Sequence, residues 1–317
     1  MDHNILLVGC GGVGSRHLEA IASLKKKIHI FVIEKNQDAI LSAKKILNAS
    51  KKSVHSPKFV DWVEVPREIF LCIIAVDANN RLKILERTQK NYKVKHIILE
   101  KILFNKIHEF EVASDLLKIQ KTSAWVNCPL RFNQIFQKDF FKKEVNYNLK
   151  VFGSNWKIAS NAMHFIDLWC YLNGTTNYSL INSNVSKKLI QSKRKGYKEF
   201  FGFLTFKNVQ GAMIHLNCFE SDILWYQYNI NTDNINIDFN PLNNYAALDS
   251  NGASKRMFSF HEEPQSTLSN QYLRLLLNDE ALNLTDYHSS AEIHKTYLKS
   301  IIPLFKFANT AEMIKIT

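Results

Sequence analysis

Gly9-Cys10-Gly11-Gly12-Val13-Gly14 is the stretch of this sequence that decides its fold. It follows a short apolar run, Ile5–Val8, and leads into Val13–Leu24, where apolar residues recur at spacings of three and four, as on one face of a helix. Glycines at the three positions of GxGxxG, between a strand and a helix, are typical of a dinucleotide-binding turn. Because four of the ten glycines of the chain fall within these six residues, chance clustering is a poor explanation.

Each glycine of this pattern has a mechanical role. Gly9 permits the tight turn, Gly11 lets the backbone approach a pyrophosphate, and Gly14 allows close packing of helix on strand. The helix N-terminus at Gly12 and Val13 offers backbone amide donors and a favourable dipole. A related domain that binds another nucleotide, or that has lost its ligand, would carry the same pattern.

The expected acidic partner of the glycine turn is Glu34. It closes the apolar run Ile28–Ile33, about 20 residues beyond the glycines, where a carboxylate accepts hydrogen bonds from the adenosine ribose. A carboxylate there repels a 2′-phosphate, which favours NAD as the cofactor. Lys35 follows directly and could partner a phosphate, so NADP remains open.

The first 125 residues alternate short apolar runs with helical patterns. Besides the two strands already named, Phe70–Val76 and Ile97–Glu100 read as strands, and Asp38–Leu47 reads as a helix. Parallel strands joined by crossover helices form a doubly wound sheet. We therefore predict a Rossmann dinucleotide-binding domain over residues 1–125.

Residues 126–317 show a different pattern. One apolar helix is predicted over Ala159–Leu172, and further helices over Ser290–Lys299 and Ile302–Ala308. Strands are predicted at four places separated by short turns: Phe200–Phe206, Ala212–Asn217, Leu224–Asn231 and Ile235–Phe239. The expected second domain is an α+β substrate and oligomerisation domain with a mixed or antiparallel open sheet. Its aromatic strands are expected to form a sheet surface or an oligomer interface.

Composition excludes several classes of protein. The apolar fraction of 46% and the charged fraction of 22% are those of a globular protein, and no apolar run is long enough to span a membrane. The net charge of +12 comes from scattered short clusters, so no nucleic-acid partner is expected. Five widely spaced cysteines without a CxxC pair predict neither disulfides nor a metal site. We expect a cytoplasmic protein.

Two further stretches carry candidate chemistry. Lys101 follows a predicted strand and so lies at the carboxyl edge of the sheet, where ligands of such folds bind. His164 and Asp167 are one helical turn apart on the helix over Ala159–Leu172. A dehydrogenase needs a group that takes the hydroxyl proton and a cation or donor that stabilises the developing negative charge. An imidazole suits the first task because it titrates near neutrality.

These motifs together resemble the glucose-fructose oxidoreductase/inositol dehydrogenase (Gfo/Idh/MocA) family. The resemblance spans the chain and rests on Gly9–Gly14 with Arg16-His17, Glu34, Glu100-Lys101 in place of the family's EKP, Asn127, Arg131-Phe132, the HxxD of His164 and Asp167, and the pattern at Leu284-Thr285-Asp286 and His294. It implies a dehydrogenase or reductase acting on CH–OH groups of a sugar or sugar-derived substrate, a context such as surface-polysaccharide or unusual-sugar metabolism, and a homodimer or homotetramer formed through the open sheet.

The resemblance also assigns roles to residues. Lys101 would hold the reacting hydroxyl, His164 would be the acid/base and Asp167 would orient it or contact substrate. Residues near the cofactor would include Val76, Glu100 and Lys101, and residues near the substrate would include Asn127, Arg131, Ser160 and Asn161. The alternatives are that His164 is a core histidine and that Asn127 and Arg131 merely line a domain junction.

The sequence departs from the family pattern at three positions. Ile102 replaces the proline of EKP, Arg81 stands where a histidine is common, and Ser160 stands where many members place an aspartate. Serine cannot supply that charge, so either Asp167 or Asn161 compensates, or the substrate and mechanism differ. Ser160 also motivates an alternative function: a non-catalytic NAD-binding structural or sensor protein of the same fold.

Overall fold

The computed structural model describes residues 3–50, 53–137, 141, 146–187, 189–192, 194–250, 255–305 and 315–316. In chain order, its helices and strands are β1 (His3–Val8), α1 (Gly12–Ala22), β2 (Ile28–Ile33), α2 (Gln37–Ala49), β3 (Lys58–Phe59), β4 (Glu68–Ile74), α3 (Ala78–Asn91), β5 (Lys93–Glu100), α4 (His108–Ile119), β6 (Ser123–Asn127), β7 (Asn148–Ser154), α5 (Ile158–Asn173), β8 (Tyr178–Val185), β9 (Ile190–Gln191), β10 (Lys198–Glu199), β11 (Gly202–Asn208), β12 (Met213–Phe219), β13 (Trp225–Asn231), β14 (Ile235–Asn240), β15 (Tyr245–Ser250), β16 (Arg256–Ser259), α6 (Gln265–Leu277), β17 (Thr285–Asp286) and α7 (Tyr287–Ile301).

The chain divides into two compact units. The first consists of residues 1–104, 108–127 and 263–288, and the second of residues 105–107, 128–262 and 289–317. The sequence-based division places one boundary at residue 125, so the chain would pass from the first domain to the second once. In the structure, the chain returns to the first unit over residues 263–288, which include α6 and β17. Apolar periodicity reports that a helix has a buried face, but it does not report which sheet or helix buries that face.

The first unit is built on a seven-stranded sheet of order β3-β2-β1-β4-β5-β6-β17. All its strand pairs are parallel except β6 with β17. Ile5, Leu6 and Leu7 of β1 are fully buried, as expected for a strand covered by helices on both faces. The strand order reverses between β1 and β4, which confirms the predicted doubly wound fold and places a crevice at the carboxyl ends of those two strands.

The second unit is built on an eight-stranded sheet of order β16-β15-β14-β13-β7-β12-β11-β8. Neighbouring strands are antiparallel, with the exception of the parallel pair β7 and β12. The apolar helix predicted over Ala159–Leu172 is α5, and it packs on one face of this sheet. The predicted mixed open sheet is therefore confirmed.

The C-terminal helical predictions have different outcomes. The helix predicted over Ser290–Lys299 is the longer α7, and the one predicted over Ile302–Ala308 begins as a 3-10 turn, Ile302–Phe305. The rest of that second prediction lies outside the described residues.

The five cysteines are free and buried. None of the helices in the described part of the chain combines the length and the apolar character that crossing a membrane requires.

Candidate active site

The glycine turn connects β1 to α1 in the first unit. Gly9 has φ +90°, a left-handed conformation that favours glycine, and its N–H donates to the carbonyl of Ile33 at 2.9 Å. A Cβ on Gly14 would lie 2.0 Å from the carbonyl oxygen of Gly9. The turn therefore accepts only glycine at Gly14, as the motif predicts.

Glu34 ties the end of β2 to this turn. Its Oε2 accepts a hydrogen bond from the backbone N–H of Cys10 at 2.8 Å, and its Oε1 accepts from the N–H groups of Lys35 and Asn36 at 2.8 and 2.9 Å. On the other side, Cγ1 of Val76 lies 3.1 Å from the point that a Cβ on Gly9 would occupy. Glu34 and Val76 are thus brought together around the glycines.

The turn has the shape that a pyrophosphate requires. A Cβ on Gly11 or Gly12 would meet nothing within 4 Å, so open space lies directly beside the backbone there. Every residue of α1 is described, and its first turn carries no acidic side chain that would repel an anion. The N-terminus of α1 and the two open glycines fit a dinucleotide phosphate.

Lys101 follows β5 at the carboxyl edge of the same sheet. It is half-buried, and its peptide bond to Ile102 is cis. Because β5 lies two strands from β1 in the sheet order, the two strand ends are roughly 10 Å apart at the usual strand spacing. Ligands of doubly wound sheets bind in the crevice at the ends of β1 and β4, and β5 is the next strand beside β4.

Arg81 fixes the segment that carries Lys101. Its guanidinium is buried, and it donates hydrogen bonds to the carbonyls of Ile102 and Leu103 and, at 2.6 Å, to the carbonyl of Val76. The fork of the guanidinium thereby joins the end of β4 to the residues after β5. This explains the arginine at a position where the family resemblance leads one to expect a histidine.

A closed ring of hydrogen bonds lies beneath this edge. His17 Nε2 is 2.8 Å from Glu100 Oε1, and Asn127 Nδ2 donates to Glu100 Oε1 at 2.7 Å and to Gln265 Oε1 at 2.9 Å. The ring closes through Ser269, whose hydroxyl lies 2.9 Å from Gln265 Nε2 and 2.7 Å from His17 Nδ1. It joins α1, β5, β6 and α6.

The ring fixes the side chains of Glu100 and Asn127 and determines the charge of Glu100. Burial raises the pKa of the Glu100 carboxyl, but the hydrogen bonds from His17 and Asn127 and the charge of Arg81 outweigh it and lower the pKa overall. Glu100 is therefore an ionised anchor directly before Lys101. Asn127, which is 2% exposed, contacts Glu100 rather than open space.

The second unit contains a cavity of about 270 Å³. Two of the predicted residues, Asn161 and His164, line it from α5, and Tyr226 and Glu262 line it from the opposite side. The remaining lining residues are apolar or aromatic: Pro129, Leu130, Trp156, Phe165 and Leu224. Mostly apolar walls with a few polar groups are typical of small-molecule sites, and this volume lies near the lower end of their range.

Local structure holds α5 in place at the cavity. Asn155 and Lys157 have left-handed φ values of 52° and 65°, which end β7 and start α5 within a few residues. Asn161 Nδ2 donates to the carbonyl of Trp156 at 2.7 Å, and Trp156 Nε1 donates to the carbonyl of Asn217 at 2.8 Å. The aromatic wall and the start of the helix are therefore fixed together.

Asp167 and Arg131 form an ion pair on the same unit. Arg131 Nη1 lies 3.7 Å from Asp167 Oδ1, and the guanidinium stacks 4.2 Å from the ring centre of Tyr171. Asp167 is 1% exposed, one turn along α5 from His164. The structure thus pairs Asp167 with a half-buried arginine, and neither residue is among those that line the cavity.

Ser160 has a different partner from the one considered in the sequence. Its hydroxyl donates to Glu199 Oε1, and Glu199 Oε2 accepts from the N–H of Ala159 at 2.9 Å. Glu199 is 1% exposed and acts as the cap of α5, where a carboxylate is favourable. The carboxylate next to Ser160 therefore comes from β10.

Sequence comparison and structural comparison give different results. No protein-family model matches this sequence, and no curated protein matches it significantly. Among solved structures, UDP-N-acetylglucosamine 3-dehydrogenase GnnA from Acidithiobacillus ferrooxidans is similar, with a TM-score of 0.74, 11% identity and coverage of 97% of this chain and 99% of that chain. An oxidoreductase from Agrobacterium radiobacter in complex with NAD+, L-tartaric acid and magnesium has a TM-score of 0.69, 11% identity and 94% coverage of both chains.

A third similar structure is KijD10, a 3-ketoreductase from Actinomadura kijaniata in complex with NADP. Its TM-score is 0.67, its identity is 10%, and 94% of this chain and 96% of that chain are covered. At these identities the likeness shows the fold. The chain has the fold of these oxidoreductases over nearly its whole length.

The sequence did not reveal the opposite side of the cavity. Trp156, Tyr226 and Glu262 come from three separate places in the chain, and only the tertiary fold brings them together. Glu199 was missed for the same reason. The one available signal was aromatic enrichment in the strand over Leu224–Asn231, which indicates a sheet but not which side chains face a ligand.

Proposed function

We propose that this protein is an NAD(P)-dependent oxidoreductase of the Gfo/Idh/MocA type that interconverts a secondary alcohol and a ketone on a sugar or sugar-derived substrate. The observation that carries the proposal is the cavity beside α5, where His164 and Asn161 meet aromatic walls. The open glycine turn with Glu34 supports the cofactor part of the proposal. The reaction class is supported by GnnA, which is named for its action on UDP-N-acetylglucosamine, and by the two similar structures that hold NAD+ or NADP.

The candidate residues have the following proposed roles. A bound nicotinamide supplies or accepts the hydride. His164 moves the proton at the substrate oxygen, since an imidazole exchanges protons near neutral pH. Lys101 stabilises negative charge on that oxygen. Asp167 and Arg131 position α5 and, through it, His164.

The cofactor preference follows from Glu34. Its carboxylate lies against the glycine turn, where it would accept ribose hydroxyls and repel a 2′-phosphate. NAD is therefore the proposed cofactor, with NADP as the alternative because Lys35 is exposed next to it.

Turnover tests this proposal directly. Purified protein is mixed with NADH and a panel of keto-sugars, and absorbance of NADH is followed. His164→Ala should lower kcat by about 10²–10⁴ while the affinity for NADH, measured by fluorescence titration, stays unchanged. His108→Ala, at an exposed histidine in the first unit, is the matched control and should keep the wild-type rate.

The alternative function, a non-catalytic NAD-binding protein, predicts no turnover in this experiment. It was motivated by Ser160, but the Ser160 hydroxyl is engaged by Glu199 and is not among the groups that line the cavity. NADH binding without turnover on any keto-sugar would favour that alternative. Turnover that His164→Ala leaves unchanged would contradict the assignment of His164.

A further inference from the structure

The cavity beside α5 has a polar group that the proposed reaction does not use. Glu262 lines it, and the hydroxyl of Tyr226 donates to Glu262 Oε2 at 2.9 Å. The other carboxyl oxygen, Oε1, is buried and has no hydrogen-bond partner among the described residues. Buried polar atoms nearly always have a partner, so this oxygen has capacity for a ligand.

A second polar atom, beside Glu262, is also buried and unpaired among the described residues. The hydroxyl of Tyr228, two residues from Tyr226 on the same face of β13, is buried without a partner among the described residues. The ring of Phe165 packs against both tyrosines, at centre-to-centre distances of 6.1 and 5.4 Å. The two tyrosines and Glu262 therefore form a fixed polar cluster in an aromatic wall.

The charge of this cluster restricts its ligand. Burial raises the pKa of the Glu262 carboxyl. Burial, and after it the nearby Glu262 carboxyl, raises the pKa values of Tyr226 and Tyr228. None of the nine described residues that line the cavity is lysine or arginine. A carboxylate on the ligand would have to be desolvated beside Glu262 without a lysine or arginine among these residues to pair with it, which is costly.

We infer that Glu262, held by Tyr226, is the specificity-determining group that hydrogen-bonds a hydroxyl of an uncharged sugar ring and excludes rings that carry a carboxylate. The inference rests on the proposed function because it takes this cavity as the substrate site. Aromatic and apolar walls suit the carbon face of a sugar ring, and Glu262 supplies the polar contact that fixes its orientation. A modest rotation about the terminal torsion of Glu262, which is soft, presents Oε1 to that hydroxyl.

Matched pairs of sugars test the inference. Methyl glycosides of glucose, galactose, mannose and N-acetylglucosamine and the corresponding methyl uronides are titrated by calorimetry into the full-length protein with NADH present. At least one uncharged glycoside should bind, about tenfold or more tightly than its uronide. Glu262→Gln keeps the hydrogen bond and should retain that affinity within about threefold, whereas Glu262→Leu should lose about tenfold or more.

Two measurements and a second variant distinguish loss of the Glu262 contact from a folding defect. NADH affinity and thermal unfolding report on whether Glu262→Leu is folded, and Tyr226→Phe removes only the hydroxyl that holds Glu262. If Glu262→Leu is unfolded, Tyr226→Phe decides and should weaken binding of the uncharged ring. Glu220→Gln, at an exposed carboxylate of the same unit, is the matched control and should bind as the wild type does.

The outcomes separate this inference from the proposed function. Uronides that bind as tightly as the glycosides, no glycoside binding at all, or wild-type binding by a folded Glu262→Leu variant would overturn the inference. NADH turnover on uronic keto-sugars alone would overturn it and leave the proposed function intact. Binding of uncharged rings that depends on Glu262, without turnover of any keto-sugar, would support it and contradict the proposed function.

Discussion

Single glycines distinguish folding from cofactor binding in the turn after β1. A Cβ on Gly14 would collide with the carbonyl of Gly9, whereas a Cβ on Gly11 would project into open space. Two alanine substitutions three residues apart should therefore fail for different reasons. The two variants therefore test the packing role of Gly14 and the cofactor-binding role of Gly11 separately.

Gly11→Ala should fold with a thermal midpoint near that of the wild type but lose about tenfold or more of its NADH affinity, because the new methyl group occupies space beside the phosphate-binding amides. Gly14→Ala should lower the free energy of unfolding by about 3 kcal/mol through overpacking. Calorimetry and fluorescence titration measure the two effects. Equal NADH affinity of Gly11→Ala and the wild type would contradict the proposed position of the pyrophosphate.

Glu262 should make stability depend on pH. Its raised pKa means that the folded protein holds the proton to a higher pH than the unfolded chain, whose glutamate titrates near 4.5. The free energy of unfolding contributed by this group is thus full below pH 4.5 and is lost as pH rises through the folded pKa. Glu262→Gln cannot ionise, so its thermal midpoint relative to wild type should increase as pH rises from 4.5. Glu220→Gln should show no such trend, and a difference that stays constant with pH would contradict the raised pKa.

At the scale of elements, the hydrogen-bonded ring couples two helices to two strands. The pattern of apolar residues predicted α1 and the strand that ends at Glu100, but it could not predict that α6 returns from residue 265 to close the ring. Polar contacts between residues that are 138 and 252 positions apart leave no periodic trace in the sequence.

Asn127→Asp tests the ring with a nearly isosteric change. It places a second carboxylate where Asn127 Nδ2 now donates to Glu100 at 2.7 Å, so two buried like charges face each other. We expect a loss of about 3 kcal/mol in the free energy of unfolding at neutral pH, measured by urea denaturation. The loss should shrink as pH falls, because a shared proton removes the repulsion. Gln120→Glu adds the same charge at an exposed site and should change little; a similar loss in both variants would mean that net charge, and not the ring, is responsible.

For the whole molecule, the sequence was sufficient to predict the fold, but only Asn161 and His164 of the nine described residues that line the cavity were predicted as site residues. The glycine turn, Glu34, Lys101, Asn161 and His164 could be predicted as site residues because motif and periodicity are local signals. Glu199, Tyr226 and Glu262 could not be predicted because their partners are distant in sequence and only the tertiary fold brings them close. The departure at Ser160, which looked like a lost charge, is a side chain whose carboxylate partner comes from a distant strand.

The outer face of the eight-stranded sheet is the surface through which we expect the protein to self-associate. It is the face opposite α5, and Phe152, Met213, Phe219 and Trp225 on it are each at least 36% exposed. Phe152 and Trp225 pack edge to face, with ring centres 5.8 Å apart, as the middle of an apolar patch. An exposed apolar patch on an open sheet favours self-association, so the predicted homodimer or homotetramer would bury this face.

The double substitution Phe152→Lys and Trp225→Lys should convert the oligomer to a monomer, because two facing copies would each place uncompensated charges in the interface. Sedimentation velocity over a range of protein concentrations measures the mass, and far-ultraviolet circular dichroism checks that the sheet is intact. Val63→Lys, at a valine that is 92% exposed in the first unit, is the control and should keep the wild-type mass. If the wild type sediments as a monomer throughout, or if the double variant keeps the oligomeric mass, association through this sheet face is wrong. Loss of mass with retained NADH turnover would further show that the catalytic groups of one chain suffice.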